Sequence, residues 1–186
     1  MVLTIGHSTR SFEEFLALLR AHAVTHVVDV RTVPRSRRNP QFNREALETA
    51  LPQAGIAYSH MRALGGLRKP RKDSPNGGWH NASFRGYADY MLTPEFEAAL
   101  GQLLAIAAEG RTAIMCAEAV PWRCHRSLIA DALWAHGVEA RHITGRGEAR
   151  PHTLTPFAVV ENSRVTYPPA DVSGRGQDDA ERDLLR

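Results

Sequence analysis

Five short apolar segments, separated by segments with helical character, most constrain what this chain can fold into. Thr25–Val30 is rich in β-branched residues, as is typical of a strand buried on both faces of a parallel sheet. The other predicted strands are Val2–Ile5, Ile56–Ser59, Thr112–Cys116 and Glu139–Ile143. Strands that alternate with helices are joined by right-handed crossovers. We therefore predict an α/β fold with a mainly parallel central sheet and helices on both faces, a Rossmann-like three-layer arrangement.

Capping signals mark where the intervening helices begin. Ser11-Phe-Glu-Glu14 is a capping box, in which the serine hydroxyl accepts a first-turn amide and the glutamate reaches back to the serine. Thr93-Pro94-Glu95 combines a hydroxyl cap with a proline at the first helical position and an early acid. The predicted helices span residues 11 to about 22, 43–50, 84–92, 93 to about 109, and about 124–126 to 136.

Length and composition predict one domain. The chain has 186 residues, of which 43% are hydrophobic and 23% charged, values typical of a single globular domain. We assign residues 1–167 to this domain, with Val159–Val160 and Arg164–Tyr167 as an edge hairpin or one more strand. Residues 168–186 are polar and contain Gly and Asp, which predicts a disordered C-terminal tail.

The N-terminal segment and the cysteine content indicate the compartment. Met1–Ser8 has no basic start, no apolar h-region of a signal peptide and no small-residue cleavage site, and no apolar run approaches the roughly 18 residues that span a bilayer. We therefore expect a cytoplasmic protein with no membrane partner. Its two cysteines, Cys116 and Cys124, are expected to be free thiols or ligands in a reducing compartment.

Polar residues gather at the predicted carboxyl ends of the strands. His7 follows the first strand, Arg31 the second, and Cys116 and Glu118 the fourth. A loop then leads to the start of the next helix, which holds Arg123, Cys124, His125 and Arg126. Ligands of open parallel sheets bind beyond the carboxyl ends of the strands, so we expect these groups to form one site.

A cysteine nucleophile is the first interpretation of this site. A thiol at its free pKa near 8.5 is only ~3% thiolate at pH 7, whereas a pKa lowered to ~6.5 by a helix N-terminus and nearby arginines gives ~75%. Either Cys116 or Cys124 can be the nucleophile, with His7 or His125 as the proton carrier. Glu118 would orient that histidine. The structural alternative makes Cys116 a small buried residue that closes the sheet.

Two further interpretations use the same residues. Arg31, Arg123 and Arg126 beside a helix N-terminus would hold phosphate or sulfate through free amides and paired guanidinium donors. Ion pairs of Asp29 with Arg31 and of Glu118 with Arg126 are the structural alternative. The Cys, His and Glu side chains also offer donors for zinc or iron, but Cys-x7-Cys-His is not a standard zinc spacing. We therefore assign no cofactor and no metal ligand, and keep Zn or Fe as an alternative.

Basic residues are concentrated in one part of the chain. Between residues 31 and 72, ten Arg and Lys stand against two Glu, a net charge of +8, while the rest of the chain carries −5. Such an asymmetry favours a polyanion, and nucleic acid is a candidate partner; a solvated surface is the structural alternative. The loop at residues 62–81 is expected to be irregular and mobile. The candidate contacts to nucleic acid are Arg35, Arg37, Arg38, Arg68, Lys69, Arg71 and Lys72.

Five separated motifs occur in a fixed order along the chain. They are Thr4-Ile-Gly-His-Ser8, Val28-Asp-Val-Arg31, Leu64-Gly-Gly66, Phe84-Arg-Gly-Tyr-Ala-Asp-Tyr-Met91, and Cys116-Ala-Glu118 with Cys124-His-Arg126. Together, over about residues 3 to 144, they resemble the domain of unknown function 488 family. The resemblance implies an α/β fold and a polar edge built from these motifs, and it implies no reaction. The second motif is also similar to a strand of the rhodanese and Cys-phosphatase group, but the reactive loop there is Cys-x5-Arg or shorter and Cys116 to Arg123 is Cys-x6-Arg.

These observations predict a Cys/His/Arg pocket at the carboxyl edge of the sheet. We expect it to act on an anionic, phosphate-bearing substrate, which includes nucleic acid, as a cysteine-dependent hydrolase or transferase. One alternative is a non-catalytic nucleic-acid-binding module that uses the basic loops at residues 31–44 and 62–72. The second alternative is a Cys/His metal-binding protein.

Overall fold

Six strands form the central sheet in the computed structural model, which describes residues 1–170. They are β1 (Val2–Gly6), β2 (His26–Asp29), β3 (Ala57–His60), β4 (Thr112–Cys116), β5 (Ala140–Ile143) and β6 (Arg150–Pro151). Their order is β3-β2-β4-β1-β5-β6, and every neighbouring pair is parallel except the antiparallel β5 and β6. The central strand β4 therefore ends between the ends of β2 and β1.

Helices cover both faces of this sheet. Within the described residues they are α1 (Phe12–Ala21), α2 (Arg44–Gln53), α3 (Ala82–Met91), α4 (Pro94–Glu109) and α5 (Arg126–Ala135). Alternate strand residues point to opposite faces, so Leu3 packs in one core with α1 and α2, whereas Val2 packs in the other with α3, α4 and α5. The predicted three-layer α/β fold is confirmed. Within residues 1–170, no helix has both the length and the apolar character needed to cross a bilayer.

Local side-chain contacts explain where the helices differ from the prediction. The capping box at Ser11 is present as predicted. Helix α3 begins at Ala82, two residues earlier than predicted, because the Asn81 side chain accepts the amides of Ser83 and Phe84. Asn43 precedes α2 as predicted, but its side-chain oxygen accepts the Ser36 amide instead of a helix amide.

The C-terminal part of the described chain forms a small second sheet. Strands β7 (Val159–Glu161) and β8 (Arg164–Thr166) pair as an antiparallel hairpin separate from the central sheet. The edge strand β6 was not predicted, because two residues carry no detectable periodicity. Of the predicted C-terminal tail, residues 171–186 lie outside the described part of the chain.

Asp131 ties this region to α5. Its carboxylate is fully buried and accepts hydrogen bonds from His152 Nε2 at 2.7 Å, the Thr155 hydroxyl at 2.7 Å and the Tyr167 hydroxyl at 2.8 Å. The Thr155 amide also donates to it, at 3.0 Å. A buried carboxylate needs such donors to offset its lost hydration. Asp131 therefore anchors the chain that follows β5 onto α5.

The long loop at residues 62–81 is anchored by one side chain of α3. Asp89 is buried and accepts the Arg71 amide, the Ser74 hydroxyl and the Asn76 side-chain amide. The predicted irregular backbone is present apart from a short 3-10 turn at Arg62–Leu64. These hydrogen bonds hold the loop against the layer formed by α3, α4 and α5.

Candidate active site

A cavity of about 630 Å³ lies at the carboxyl edge of the sheet, beyond β1, β2 and β4. It is lined by most of the side chains predicted for the site: His7, Arg31, Cys116, Glu118, Arg123, Cys124 and His125. Parallel strands end at the same edge, which is why residues from distant parts of the chain meet there. Arg126 is fully buried and does not line the cavity.

The cysteine loop, residues 116–125, folds back over the end of β1. The amides of His7 and Ser8 donate to the carbonyl oxygens at 116 and 117, at 3.0 and 2.9 Å. This close approach requires a glycine at position 6, because a Cβ on Gly6 would lie 1.9 Å from the backbone oxygen of Glu118. A 3-10 turn at Pro121–Arg123 then returns the chain, so the second cysteine lies beside the first.

The two thiols lie side by side, and their pKa values are shifted in opposite directions. Their sulfur atoms lie within 4.8 Å of each other. The hydrogen bond from Cys116 lowers the pKa of Cys124, and His125 and Arg126 lower it further against the opposing effect of burial. The same hydrogen bond, together with burial, raises the pKa of Cys116. Of the two thiols, Cys124 is the one whose deprotonated form these neighbours favour.

Arg126 is the buried cation that faces Cys124. Its Nε donates to Cys124 Sγ at 3.4 Å, and its Nη2 donates to the backbone carbonyl of Glu118. Within residues 1–170 the Glu118 carboxylate forms no ion pair with Arg126, contrary to the structural alternative above. A buried guanidinium is strongly unfavourable unless it is paired, and the Cys124 sulfur is an acceptor that this cation favours in its deprotonated form.

His125 is oriented with its basic nitrogen toward the thiolate. Its Nε2 lies 3.0 Å from the carbonyl oxygen of Val30, just after β2, and because a carbonyl only accepts, Nε2 carries the hydrogen. Nδ1 of the neutral ring can then take a proton, and it lies 3.7 Å from Cys124 Sγ. Gly66 leaves room for the ring, since a Cβ there would lie 2.5 Å from Nδ1. The arrangement is that of a thiolate paired with an imidazole base.

His7, the other candidate base, has both ring nitrogens engaged. Its Nδ1 lies 2.8 Å from the Ser8 carbonyl oxygen, and its Nε2 accepts from Arg31 at 3.2 Å. The ring stacks on Phe42 with centroids 4.3 Å apart, and only 2% of the residue is exposed. Burial, with Arg31 close by, lowers the pKa of His7 to about 4. His7 is thus a neutral part of the cavity wall that holds Arg31.

Arg31 is held by a buried ion pair. It donates to both carboxylate oxygens of Asp29, at 2.8 and 2.5 Å, and to the Phe42 carbonyl at 2.7 Å. The Tyr58 hydroxyl completes the shell of Asp29 at 2.8 Å. The ion pair of Asp29 with Arg31, the structural alternative to anion binding, is therefore present, although Arg31 also lines the cavity.

The rim of the cavity carries two exposed arginines, Arg35 and Arg123. Neither has a hydrogen bond or ion pair from its side chain within the described chain. Glu118 is also exposed, and its carboxylate accepts the Val120 amide at 3.2 Å, which braces the cysteine loop. Glu118 therefore contacts its own loop and no histidine among residues 1–170. The rim offers two guanidinium groups to an entering anion.

The basic loops place their side chains differently. In the loop at residues 62–72, Arg68 lies 3.6 Å over the Tyr90 ring and donates to the carbonyls of residues 63 and 65. Arg71 in the same loop is paired with Asp73. Arg37, Arg38, Lys69 and Lys72 are exposed and have no ion pair within residues 1–170. Arg35 alone of the seven predicted nucleic-acid contacts lines the cavity.

Three donor atoms also converge as a metal site would need. The ligand atoms of Cys116, Cys124 and His125 lie within 4.8 Å of one another. The Cys124 Sγ to His125 Nδ1 distance of 3.7 Å is close to the ~3.5 Å edge of a tetrahedral zinc site with ordinary bond lengths. The Val30 carbonyl orients the histidine as an outer-shell partner commonly does.

Two parts of the site had no role assigned from the sequence. The Val30 carbonyl determines the tautomer of His125, and Gly66 provides the space for its ring. The glycine was visible as part of the Leu64-Gly-Gly66 motif. The carbonyl gave no signal, since every residue carries one.

A family model described as "Domain of unknown function DUF488" matches residues 11–133 of this chain. The chain belongs to the DUF488 family. The matched part contains the cysteine loop and four of the five motifs, and the Thr4–Ser8 motif precedes it. No curated protein and no solved structure matches this DUF488 chain.

Proposed function

We propose that this DUF488 protein is a cysteine-dependent hydrolase or transferase with Cys124 as its nucleophile. The observation that carries the proposal is the placement of Cys124 Sγ, 3.7 Å from His125 Nδ1 and 3.4 Å from Arg126 Nε, at the wall of an open cavity. A thiolate is the reactive form of cysteine, and these two neighbours stabilise it. The free cysteines suit a cytoplasmic setting.

The reaction would proceed through a covalent intermediate on Cys124. The thiolate attacks the electrophilic centre of the substrate, the bond to the leaving group breaks, and imidazolium Nδ1 of His125 protonates that group. Neutral His125 then takes a proton from water or an acceptor alcohol, which attacks the intermediate and releases the thiolate. Cys116 donates a hydrogen bond to the sulfur and is a positioning residue.

The charges at the rim support a phosphate-bearing substrate. Arg35 and Arg123 line the cavity, are exposed and have no side-chain partners in the described chain, so both guanidinium groups would be available to a phosphate. The exposed cations at Arg37, Arg38, Lys69 and Lys72 would extend that contact along a phosphate polymer, which makes nucleic acid a candidate substrate.

A panel of phosphate esters and nucleotides tests this proposal with three variants. We expect Cys124→Ser to abolish turnover, Cys116→Ser to keep most of it because the hydroxyl still donates, and Cys116→Ala to lower it. The pH profile of iodoacetamide alkylation measures the thiol directly. A Cys124 that reacts no faster than glutathione, or an active Cys124→Ser variant, would refute the nucleophile.

A soft metal ion is the second candidate ligand, favoured by the convergence of Cys116, Cys124 and His125. In that case Cys116 and Cys124, as thiolates, and His125 would hold the ion. Metal analysis of protein purified without a His-tag tests this candidate. We expect about one Zn or Fe per chain that is lost in Cys124→Ser, and a metal content far below one per chain would exclude it.

Nucleic-acid binding without catalysis is the third candidate, supported by the exposed basic side chains of the loops at residues 31–44 and 62–72. It predicts affinity for mixed DNA or RNA that falls steeply with salt and survives Cys124→Ser. The enzyme proposal instead predicts that turnover disappears in this variant. No retention of nucleic acid at low salt would exclude the third candidate.

A further inference from the structure

The pairing of two unlike thiols in one cavity is not explained by nucleophilic attack on a phosphate, which needs only one sulfur. Cys116 lies at the end of β4 and Cys124 lies just before α5, yet their sulfur atoms are within 4.8 Å and both line the cavity. Cys116 is only half-buried, so solvent reaches this side of the pair.

We propose that the pair also reduces hydroperoxides, with Cys124 as the attacking thiolate and Cys116 as the thiol that resolves the oxidised product. Hydroperoxides are small enough to enter a cavity of about 630 Å³. The chemistry needs a nucleophilic sulfur beside a second thiol, and Cys124 Sγ, 3.4 Å from Arg126 Nε, lies within 4.8 Å of the Cys116 sulfur. The inference rests on the proposed function in one respect, that Cys124 is the nucleophile.

The steps balance without a bound cofactor. Cys124 sulfur attacks the terminal peroxide oxygen, the O–O bond breaks, and the alcohol leaves with a proton from the His125 imidazolium, giving a sulfenic acid. Cys116 sulfur then attacks Cys124 sulfur, and its thiol proton leaves with the hydroxyl as water. The resulting disulfide is returned to two thiols by an external dithiol, which is oxidised in turn.

The placement of the two cysteines suits the formation of a disulfide between them. Disulfide formation must bring the sulfurs from within 4.8 Å to the ~2.05 Å of a disulfide. The two cysteines are held at opposite ends of the same loop, with Cys116 O bound to the His7 amide and the Cys124 amide bound to Pro121 O. The disulfide would remove the nucleophile and both sulfur donors, so oxidation would stop the proposed hydrolase or transferase as well.

Trypsin makes the bond directly observable. Cleavage after Arg111, Arg123 and Arg126 places the two cysteines on separate peptides, residues 112–123 and 124–126. Reduced full-length protein is treated with one equivalent of hydrogen peroxide, digested without reductant and analysed by mass spectrometry. We expect the two peptides to be joined within one chain, and dithiothreitol to separate them and to sustain peroxide consumption.

Variants separate the two thiols. Cys116→Ser should stop at a sulfenic acid on Cys124, captured by dimedone, and Cys124→Ser should consume peroxide no faster than glutathione. The wild-type thiol should react about 30-fold faster than glutathione at pH 7, because a fully ionised thiol replaces one that is ~3% thiolate. A lasting sulfenic acid in the wild type, a disulfide between chains, or a rate equal to glutathione would overturn the inference.

Alkylation of the same sample distinguishes this failure from failure of the proposed function. Fast iodoacetamide alkylation of Cys124 with no disulfide refutes peroxide reduction and leaves the nucleophile. Alkylation as slow as that of glutathione refutes both.

Discussion

Replacing Arg126 by Met is expected to raise the pKa of Cys124 by about one to two units. Arg126 is fully buried and donates from Nε to Cys124 Sγ at 3.4 Å. A hydrogen bond to a charged group contributes about 1.5–3 kcal/mol, and one pKa unit corresponds to about 1.36 kcal/mol. Losing the guanidinium removes this stabilisation from the thiolate while Met fills much of the volume.

Arg123→Met is the matched control for this change. It removes the same charge three positions earlier in the chain, but Arg123 is exposed and makes no hydrogen bond to either sulfur. Solvent screens its effect, so the pKa of Cys124 should stay within about 0.3 units. Binding of a phosphate-bearing substrate should instead weaken in Arg123→Met, since the rim loses one of its two guanidinium groups.

The assay is the rate of iodoacetamide alkylation between pH 3 and pH 10 in a Cys116→Ser background, which leaves one reactive thiol. Circular dichroism confirms that each variant is folded, and Arg126→Lys, which keeps the charge, serves if Arg126→Met unfolds. A pKa of Cys124 that does not move in Arg126→Met, or that moves equally in Arg123→Met, would refute the assignment of Arg126 as the partner of the thiolate.

Three further predictions address the supporting structure. Gly66→Ala should displace the His125 ring, because the new Cβ would lie 2.5 Å from Nδ1, and should therefore slow the alkylation of Cys124 near neutral pH. The control is Gly101→Ala, in open space on α4, which should leave the alkylation rate unchanged and stabilise the fold by about 0.5–1 kcal/mol. The pKa of His7 is about 4 when folded and 6.5 when unfolded, so protonation in acid favours unfolding. In urea titrations, His7→Gln should reduce the loss of stability between pH 7 and pH 5 by about 2 kcal/mol, and an equal loss in variant and wild type would contradict the assignment. Asp131→Asn should lower the free energy of unfolding by about 2–3 kcal/mol, because one amide oxygen cannot accept four hydrogen bonds, and an unchanged urea midpoint would argue against this anchor.

The two buried arginines of this site, Arg31 and Arg126, have different partners. Arg31 is paired with Asp29, and its guanidinium also donates to His7 Nε2 and to the Phe42 carbonyl. Arg126 has no carboxylate partner within residues 1–170, and it donates to the Cys124 sulfur and to the Glu118 carbonyl. This environment favours the thiolate form of Cys124.

Local patterns along the chain were sufficient to predict the architecture. The capping box at Ser11 and the Thr93-Pro94 start lie where predicted, because a cap depends on residues within one turn of each other. The alternation of strands and helices placed His7, Arg31 and the cysteine loop at one edge, since parallel strands all end on the same side. What was missed is short or non-periodic, such as the two-residue strand β6.

The roles within the site were decided only by the tertiary structure. The sequence left open which cysteine is the thiolate and which histidine is the base, because a protonation state depends on partners distant along the chain. His125 is oriented by the carbonyl of Val30, 95 positions earlier, whereas His7 is occupied by Arg31, 24 positions later. The order of strands and helices along the chain was enough to predict that these groups share one edge of the sheet. The packing of loops across that edge, which local patterns do not encode, places His125 Nδ1 and Arg126 Nε beside the Cys124 sulfur.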